Sequence, residues 1–352
     1  MGKLAVYKYV ATMFLTIQIL LTLFTFMGLF GGNVTPVGNT ARAMCVYILP
    51  LLIIANFVML IYWLVRRRWW LSLIPIVTLA SCIPYSGTIF QFSFDNPQEN
   101  TESGLRVASY NVAMFGRETS GFMAQDILAE MRRQKIDVLC IQEYNEISGD
   151  KNNSESYKEY FPYMQVGRED MVIFSRYPIT GHKKILFEET NNSAMWADIN
   201  VKGKSLRIFN VHLETTGINS TLHQAGKMIA KRQEVNKNRL LNALYGNYMM
   251  GMMFRSGQAI TIANEKRQAE KPVILCGDFN DVPYSYVYNT VLGDMVDGFK
   301  ECGAGWMYTY RSKHKPVRID YIFHDKSLKG ISYYKTELTY SDHYPVFMKI
   351  AL

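Results

Sequence analysis

The chain has 352 residues, and its 38 lysines and arginines exceed its 30 aspartates and glutamates by eight. A net charge of +8 on this length neither requires nor excludes a nucleic-acid partner. The five cysteines do not form the framework of a small disulfide-bonded domain, so we expect no structural disulfide. Apolar residues dominate the first 92 positions, whereas the remainder has the composition of a soluble domain of about 250 residues with a large core.

Three apolar stretches occupy the first 92 residues. The uncharged run from Val10 to Phe30 is long enough to cross a bilayer as a helix, and a second run extends from Ala43 to Val65. The third run, residues 69–92, is interrupted by Pro75 and Pro84. We predict a membrane anchor over residues 1–92 with transmembrane helices at about 10–30, 43–65 and 69–92.

A signal peptide is the alternative interpretation of the first stretch, because Ala41–Ala43 resembles a signal-peptidase site. The apolar run before it is longer than the usual apolar region of a signal peptide, which favours an uncleaved anchor. A polar segment, residues 93–104, follows the third stretch and is predicted to be a linker.

Basic residues predict the orientation of the anchor. Lys3 and Lys8 precede the first stretch and Arg66–Arg68 follow the second, so the positive-inside rule places both groups in the cytoplasm. Three crossings then put residues 105–352 on the extracytoplasmic side, and we predict an integral membrane protein of this orientation. A third stretch that enters the membrane and returns would instead leave this domain in the cytoplasm.

Residues 105–352 show short apolar runs that alternate with helical patterns. Strands are predicted at 105–112, 137–142, 171–174, 182–187, 194–201, 206–214, 273–277, 318–323 and 345–350, and helices at 121–135, 222–268 and 284–292. Many strands with helices between them, at irregular spacing, predict a layered α/β or α+β domain.

Polar side chains lie at or near the ends of six of these strands, where a scaffold can hold them rigidly. They are Asn111, Glu143, Asn210, His212, Glu214, Asp278, Asn280, Asp320, Asp342 and His343. Hydrolysis of a phosphoester needs these residue types: carboxylates for a hard divalent cation, a base for water and donors for the phosphoryl oxygens. The oxygen-rich set favours Mg²⁺ or Mn²⁺ over zinc, and no G-x-S-x-G motif supports a nucleophilic serine.

Six short segments, in order, resemble the motifs of the endonuclease/exonuclease/phosphatase superfamily, which has the DNase I-like fold. They are Ser109–Val112, Gln142–Glu143, Asn210–Leu213, Gly277–Asn280, Arg318–Tyr321 and Ser341–His343. The resemblance covers about residues 104–352 and implies a two-sheet β-sandwich flanked by helices, with the active site at one edge of the sheets. With the predicted anchor, it points to a membrane-anchored member of bacterial type.

The resemblance also implies a metal site. Glu143 would be the principal Mg²⁺ ligand, with Asn111 beside it and Asp342 as a further ligand, and Asn111 would also lie next to the substrate phosphate. Ala113 stands where the abasic-site endonucleases of this superfamily have an acid, so that repair activity is not expected.

Catalytic roles follow from the same resemblance. Asp278 would orient or deprotonate the attacking water. His343 would contact the scissile phosphate as a base or charge stabiliser, with Asp320 fixing its tautomer. His212 and Asn280 would bind the phosphate, and His212 would stabilise its charge.

The leading hypothesis is therefore a membrane-anchored, Mg²⁺- or Mn²⁺-dependent phosphoesterase that hydrolyses a phosphodiester or phosphomonoester with activated water. Its partners would be a phosphate-ester substrate and the membrane, with no protein partner predicted. A nuclease would need a basic groove, for which Lys227, Lys231, Arg232, Lys237 and Arg239 are candidates, although they would equally suit a solvated helix face.

Two alternatives remain open. A lipid or sugar-phosphate phosphodiesterase or phosphatase would suit a domain tethered to the membrane. A catalytically inactive phosphate-binding module is disfavoured, because the full set of carboxylates and histidines is present.

Other residues are given structural interpretations. The methionine-rich stretch Tyr248–Phe254 is compatible with lipid contact. Core packing is favoured instead, because apolar residues recur here at helical spacing, at Leu241, Leu244, Tyr248 and Met252. Arg318 either orients Asp320 or pairs with a surface acid. The remaining histidines are expected to be surface or structural residues: His182, His223, His314 and His324.

Overall fold

The computed structural model describes residues 3–92, 104–113, 124–144, 157–168, 170–188, 190–231, 234–311, 317–338 and 340–352. The chain divides into two compact units. The first contains residues 1–88 and 282–289, and the second contains residues 89–281 and 290–352. The predicted linker, residues 93–104, lies outside the described residues except for Gly104.

The N-terminal part of the first unit is helical. It contains α1 (Lys3–Gly31), α2 (Thr40–Tyr47), α3 (Leu49–Val65), α4 (Trp69–Ser81) and α5 (Ile83–Ser86). Two helical stretches, Tyr7–Gly31 and Trp69–Ser86, are long and apolar enough to cross a membrane. The pair α2 and α3 passes the same test together but is bent by 69°. Pro50 lies in the first turn of α3, where a missing N–H is tolerated, so the chain breaks just before it.

Buried polar side chains connect the helices of this unit. Gln18 Nε2 donates to Asn56 Oδ1 over 2.9 Å, and Asn56 Nδ2 donates to Thr25 Oγ1 over 2.9 Å. The hydroxyl groups of Thr22 and Thr78 are 3.1 Å apart. These bonds join α1 to α3 and to α4, and in an apolar medium each contributes about 0.6 kcal/mol to helix association.

The rest of the chain is rich in strands. In chain order they are β1 (Phe90–Gln91), β2 (Leu105–Asn111), β3 (Val138–Gln142), β4 (Tyr163–Val166), β5 (Met171–Ser175), β6 (Ile179–Leu186), β7 (Ser193–Val201), β8 (Lys204–His212), β9 (Val273–Asp278), β10 (Val296–Asp297), β11 (Gly305–Trp306), β12 (Asp320–His324), β13 (Lys329–Lys335) and β14 (Val346–Ala351). The helices are α6 (Ala124–Arg133), α7 (Ile218–Ala230), α8 (Lys237–Arg267), α9 (Tyr286–Leu292) and α10 (Gly298–Cys302).

Two six-stranded sheets form the second unit. The first sheet has the order β10-β12-β9-β8-β7-β6, and the second has the order β13-β14-β2-β3-β5-β4. Both are mixed, because β8–β9 and β2–β3 are parallel pairs and the other neighbours are antiparallel. Strand β1 pairs with β11, so the chain joins this unit before residue 93. The predicted two-sheet architecture with flanking helices is confirmed.

The main core lies between the two sheets. Val107 and Val138 from the second sheet pack with Ile208, Ile274 and Ile322 from the first, and all five are fully buried. Burial of each such side chain contributes about 1.5–3 kcal/mol relative to exposure. The opposite face of the second sheet packs against α6.

Several elements differ from the sequence prediction. The single helix expected over 222–268 is two helices, because Asn236 caps a new helix by accepting the Arg239 N–H at Oδ1 over 3.1 Å. Strand β13 was not predicted. The last predicted membrane stretch, 69–92, is helical only to Ser86.

Candidate active site

Five strands change from apolar to polar along the face that each turns towards the other sheet. The series are Val107, Ser109 and Asn111 on β2; Val138, Cys140 and Gln142 on β3; Ile208, Asn210 and His212 on β8; Ile274, Cys276 and Asp278 on β9; and Ile322 and Asp320 on β12. Because strand side chains alternate, each polar residue extends the apolar row of its own strand. The polar residues therefore collect at one end of the space between the sheets.

Strand register aligns three of these side chains across the first sheet. His212 on β8 is paired with Asp278 on β9, and Asp278 is paired with Asp320 on β12. The central residue, Asp278, is buried, and its Oδ2 lies 4.0 Å from His212 Nε2. The sheet thus holds an imidazole and two carboxylates in one row.

Asn111 joins this row to the second sheet. Its Nδ2 donates to Glu143 Oε1 over 2.9 Å and to Asp278 Oδ2 over 3.1 Å, while its Oδ1 accepts the Ala113 N–H over 3.0 Å. In this arrangement the amide acts as a donor between two carboxylates. Its predicted role as a metal ligand would use the second lone pair of Oδ1, which the bond from Ala113 leaves available.

His343 precedes β14 and faces both carboxylates of the row. Its Nδ1 lies 3.0 Å from Asp320 Oδ2, and its Nε2 lies 3.6 Å from Asp278 Oδ2. Burial lowers the pKa of His343, but Asp320 and Asp278 outweigh this effect and raise it to about 10. An imidazolium is therefore favoured at neutral pH, which suits the donor and charge-stabilising role better than that of a base.

His212 is the second histidine of the site. Its Nδ1 lies 3.5 Å from Asp170 Oδ2, and its Nε2 lies 3.7 Å from Glu143 Oε1. Burial lowers the pKa of His212, but Asp170, Asp278 and Glu143 together raise it above its usual value. Asp170 was not predicted, and its only sequence signal is its place directly before the apolar strand β5.

Asp278 is one of the two fully enclosed acids of the site, with Asp320. Its Oδ1 accepts the Asn280 N–H over 2.8 Å. Burial, and then the charge of Asp320, raise its pKa, whereas His343 and His212 oppose this shift. A carboxylate with a raised pKa is a better proton acceptor than an exposed aspartate.

The backbone is left-handed at three positions in and beside the site. The φ angles are 44° at Ala113, 54° at Glu143 and 50° at Asn280. This region is uncommon for residues other than glycine and costs on the order of 1–2 kcal/mol. Asn280 also donates its Nδ2 to the Leu213 carbonyl over 2.9 Å, which connects the chain after β9 to the chain after β8. Such outliers concentrate at functional sites.

A buried amide network lies beneath the site. Gln142 Nε2 donates to Asn210 Oδ1, and Asn210 Nδ2 donates to the carbonyls of Ile141 and Val172 over 2.9 and 3.0 Å. Asn210 extends from the first sheet, and its three partners belong to the second. The network therefore fixes the separation and register of the sheets where the catalytic strands end.

The C-terminal half of α8 holds the loops that follow β8 and β9. Arg255 Nη1 donates to the Glu214 carbonyl over 3.0 Å, and its Nε lies 3.3 Å from Asp281 Oδ2. Gln258 accepts the Glu214 N–H over 2.8 Å. These contacts were not predicted, because the helix and the loops are far apart in sequence.

Arg318 was predicted either to orient Asp320 or to pair with a surface acid, and the structure shows its ion-pair partner. Its guanidinium forms two bonds to Asp297, at 2.8 and 2.6 Å, and both side chains are buried. Its ion-pair partner is therefore a buried acid, so the prediction of a surface acid is wrong. His324 is buried against Glu301 and His182 is exposed, as structural and surface residues would be, whereas the side chains of His223 and His314 lie outside the described residues.

A comparison with known protein families shows which family this chain belongs to. The model of the Endonuclease/Exonuclease/phosphatase family matches residues 108–343, which is more than half of the chain. The chain belongs to this family. A second model, a domain of unknown function (DUF8431), matches residues 11–89, and no curated protein matches the chain. Members of the endonuclease/exonuclease/phosphatase family are hydrolases that act on phosphoester bonds and generally use a divalent metal.

Solved structures with the same fold include three that cover 71% of this chain. They are TDP2 from D. rerio humanised by 14 mutations (16% identity, TM-score 0.51, 100% of that chain), sphingomyelinase C from Streptomyces griseocarneus (17%, 0.50, 100%) and an endonuclease/exonuclease/phosphatase from Beutenbergia cavernae (18%, 0.52, 72%). At these identities the similarity establishes the fold.

The donor set of this family member fits a hard divalent cation. Glu143 and Asp170 are partly exposed carboxylates, and Asp278 and Asp320 are buried ones. Oxygen donors of this kind suit Mg²⁺ or Mn²⁺. A cation would also offset the effects of burial and of the Asp320 charge, which together raise the pKa of Asp278.

Two residue groups compete for that cation. Ligand atoms of Asp278, Asp320 and His343 lie within 4.8 Å of one another, but His343 Nδ1 is already bonded to Asp320. Glu143, with its side chain 34% exposed, keeps a carboxylate open to solvent. Among the contacts of the described residues, Asp342 is bonded through its carboxylate to the Ser341 hydroxyl at 3.4 Å and is not connected to Glu143. Its predicted role as a metal ligand stays a prediction.

Proposed function

We propose that this chain is a membrane-anchored, divalent-metal-dependent phosphoesterase that hydrolyses its substrate with an activated water. Membership of the endonuclease/exonuclease/phosphatase family indicates that the bond hydrolysed is a phosphoester bond. The observation that supports catalysis by this chain is the unbroken series of contacts from Asp320 through His343 and Asp278 to Asn111 and Glu143. An inactive binding module would have no need to keep this series intact.

Asp278 would orient the attacking water and accept its proton. Burial raises the pKa of Asp278, and the Asn280 N–H and Asn111 amide fix its two oxygens. A rigid carboxylate with increased basicity meets the requirements of a general base.

His343 would donate from Nε2 to a phosphoryl oxygen. Asp320 accepts the proton of the opposite nitrogen, Nδ1, and so fixes the ring orientation, while the raised pKa of His343 keeps the second proton of the imidazolium on Nε2. His212 and Asn280 would add donors on the phosphate. Hydrogen bonds from charged donors strengthen as negative charge builds on the phosphoryl oxygens, so they lower the barrier.

Glu143 would hold the cation, with Asn111 and Asp342 as the predicted additional ligands. When it is bound, Mg²⁺ or Mn²⁺ supplies Lewis-acid polarisation of the phosphoryl group. The left-handed backbone at Glu143 supports this assignment, because strain of this kind persists where a side chain has to be aimed at a functional site.

Substrates at the membrane are the first candidates. The anchor over residues 1–92, with crossings at about 10–30, 43–65 and 69–92, would keep the catalytic domain, residues 105–352, close to the lipid headgroups. The lysines before the first predicted span and the arginines after the second would orient this domain to the extracytoplasmic side. A phosphodiester or phosphomonoester of a lipid is therefore the favoured substrate, and a sugar phosphate belongs to the same first candidate. Exposed basic residues on α7 and α8 keep a nuclease as the second candidate.

The test uses the full chain, purified in detergent, with Mg²⁺ and an EDTA control. Phospholipids in mixed micelles, sugar phosphates, DNA and RNA are assayed in parallel, and His343→Ala is compared with His182→Ala, which changes an exposed histidine. We expect hydrolysis that EDTA abolishes, and a loss of about 10²–10⁴-fold in kcat for His343→Ala alone. Equal turnover by the two variants would refute the catalytic assignment.

A further inference from the structure

The hairpin of α7 and α8 exposes large apolar side chains. We use the term hairpin tip for residues 222–245, which end α7 and begin α8. Ile229 is 64% exposed, Leu241 is 62% exposed and Tyr245 is 57% exposed. Leu222 and Met228 are also exposed. Single exposed apolar residues are common on soluble proteins, but a group of five within 24 residues of one supersecondary unit makes this region the candidate for an interaction surface.

These residues extend a face that is buried further along α8. The apolar positions on this face recur at intervals of three, four or seven residues and are Leu241, Tyr245, Tyr248, Met252, Ala259 and Ile262. Met252, Ala259 and Ile262 pack in the interior, whereas Leu241 and Tyr245 are exposed. Of the four positions predicted to pack in the core, Met252 is buried, Leu244 and Tyr248 are half-buried and Leu241 is exposed, so that prediction is confirmed for Met252 and wrong for Leu241.

The hairpin tip is also strongly basic. Its sequence has five basic residues and one acidic residue, Glu234. Lys227, Lys231, Lys237 and Arg239 are exposed in the structure. Apolar side chains beside flexible cationic ones are the combination that partitions into the interface of an anionic bilayer, where the aliphatic groups enter the acyl boundary and the lysines contact headgroups.

We propose that the hairpin tip docks on the surface of an anionic lipid bilayer. This inference rests on the membrane anchoring in the proposed function but not on catalysis. Only Gly87 and Thr88 separate the end of α5 from Ile89, the first residue of the second unit. With α4 and α5 in the membrane, this short connection keeps the hairpin at a high effective concentration near the same bilayer.

Two other binding partners of the hairpin tip, a second copy of the chain and single-stranded nucleic acid, fit its side chains less well. A second copy of the chain would bring an equally basic surface against the first, and like charges at an interface repel. Single-stranded nucleic acid binds through phosphates and through aromatic side chains that stack on bases, whereas four of the five exposed apolar residues of the tip are aliphatic or methionine.

Docking would have a consequence for the active site. Leu241 and Arg255 lie on the same continuous helix, about 21 Å apart along its axis at 1.5 Å per residue. Arg255 holds the loops after β8 and β9. The depth of the tip in the headgroup layer would therefore set the height of the catalytic groups above the lipid phosphates.

The experiment uses the full chain in lipid nanodiscs with and without phosphatidylserine. Cysteine is introduced at Ile229→Cys or Leu241→Cys and labelled with an environment-sensitive fluorophore, and quenching by nitroxide-bearing lipids is measured. Ser205→Cys, at an exposed polar position near the start of β8, is the matched control, and the unsubstituted chain reports labelling of its own cysteines.

We expect quenching at positions 229 and 241 to exceed that at 205 by about two-fold or more, and to weaken without phosphatidylserine. Reversal of charge at Lys227, Lys231 and Lys237 should abolish this difference. Equal quenching at 205 and 229 would overturn the proposal, and so would a response at 229 to added DNA but not to lipid. His343→Ala should dock normally, so a failure of docking and a failure of catalysis are separate results.

Discussion

Gln142 on β3 donates its side-chain amide to Asn210 on β8 over 2.6 Å, and this bond joins the two sheets directly beneath the active site. Asn210 also donates to the carbonyls of Ile141 and Val172. All of these groups are fully buried. The packing of the sheets and the placement of the catalytic strand ends are thus controlled by the same polar network.

Asn210→Ala should strongly destabilise the protein. The change removes three buried hydrogen bonds and leaves Gln142 Nε2 with only the Ser109 hydroxyl at 3.2 Å, which costs roughly 2–4 kcal/mol of unfolding free energy. Urea unfolding of the full chain in detergent, followed by tryptophan fluorescence, measures this loss. Asn242→Ala, at an exposed position on α8, should change stability by less than about 0.5 kcal/mol. Equal effects of the two substitutions would contradict the proposed role of the network.

The stability of the metal-free protein should depend on pH through His343. Its pKa is raised to about 10 in the folded state, against about 6.5 in an unfolded chain. The folded state binds the proton more tightly, so its stabilising effect is complete below pH of about 6.5, declines as the pH rises and is lost by about pH 10. Unfolding free energies of the wild type and His343→Asn, measured with EDTA between these pH values, should converge as the pH increases. A constant difference would show that His343 does not hold a proton through this range.

Glu143→Gln should weaken metal binding and leave the fold intact. The amide keeps the size of the side chain and can still bond to Asn111, but it removes the negative charge that a hard cation needs. We expect the Mg²⁺ concentration for half-maximal activity to rise by about 10-fold or more. Loss of a residue that only hydrogen-bonds to a metal ligand already weakens metal binding by about 10-fold, and loss of the ligand itself should weaken it at least as much. Titration calorimetry with Mg²⁺ gives a readout that is independent of turnover. Glu188→Gln, at an exposed position, should leave both values unchanged.

Arg255 is a positioning residue, and Arg255→Met tests this role. Removal of the guanidinium leaves the buried Asp281 carboxylate without this partner and releases the Glu214 carbonyl, which should cost about 3–5 kcal/mol of stability. Arg255→Lys, which retains the charge, should recover part of the loss. Thermal unfolding of both variants is compared with Lys326→Met, an exposed substitution expected to be neutral. If Arg255→Met were as stable as that control, α8 would not be holding these loops.

The sequence predicted the sheets and most of the acids and histidines of the site because strand alternation is a local property. Asn111, Glu143, His212, Asp278, Asp320 and His343 lie together as strand ends should. Asp170 and Arg255 could not be predicted in this way, since their contacts depend on which loops meet in space. The stripe from Leu241 to Ile262 shows the same limit, because periodicity identifies an apolar face but does not show how much of it the fold covers.

The left-handed backbone at Glu143 restricts how this site can change over generations of mutation. If Glu143 holds the cation as proposed, any replacement there has to provide an oxygen ligand and also tolerate a φ of 54°. Glycine would relieve the backbone but remove the carboxylate, and β-branched residues would add steric strain. Aspartate and asparagine are the residues that accept this conformation most readily while keeping an oxygen donor. In a directed-evolution library, position 143 should therefore yield active clones from a much smaller set of residues than chemistry at the metal alone would allow.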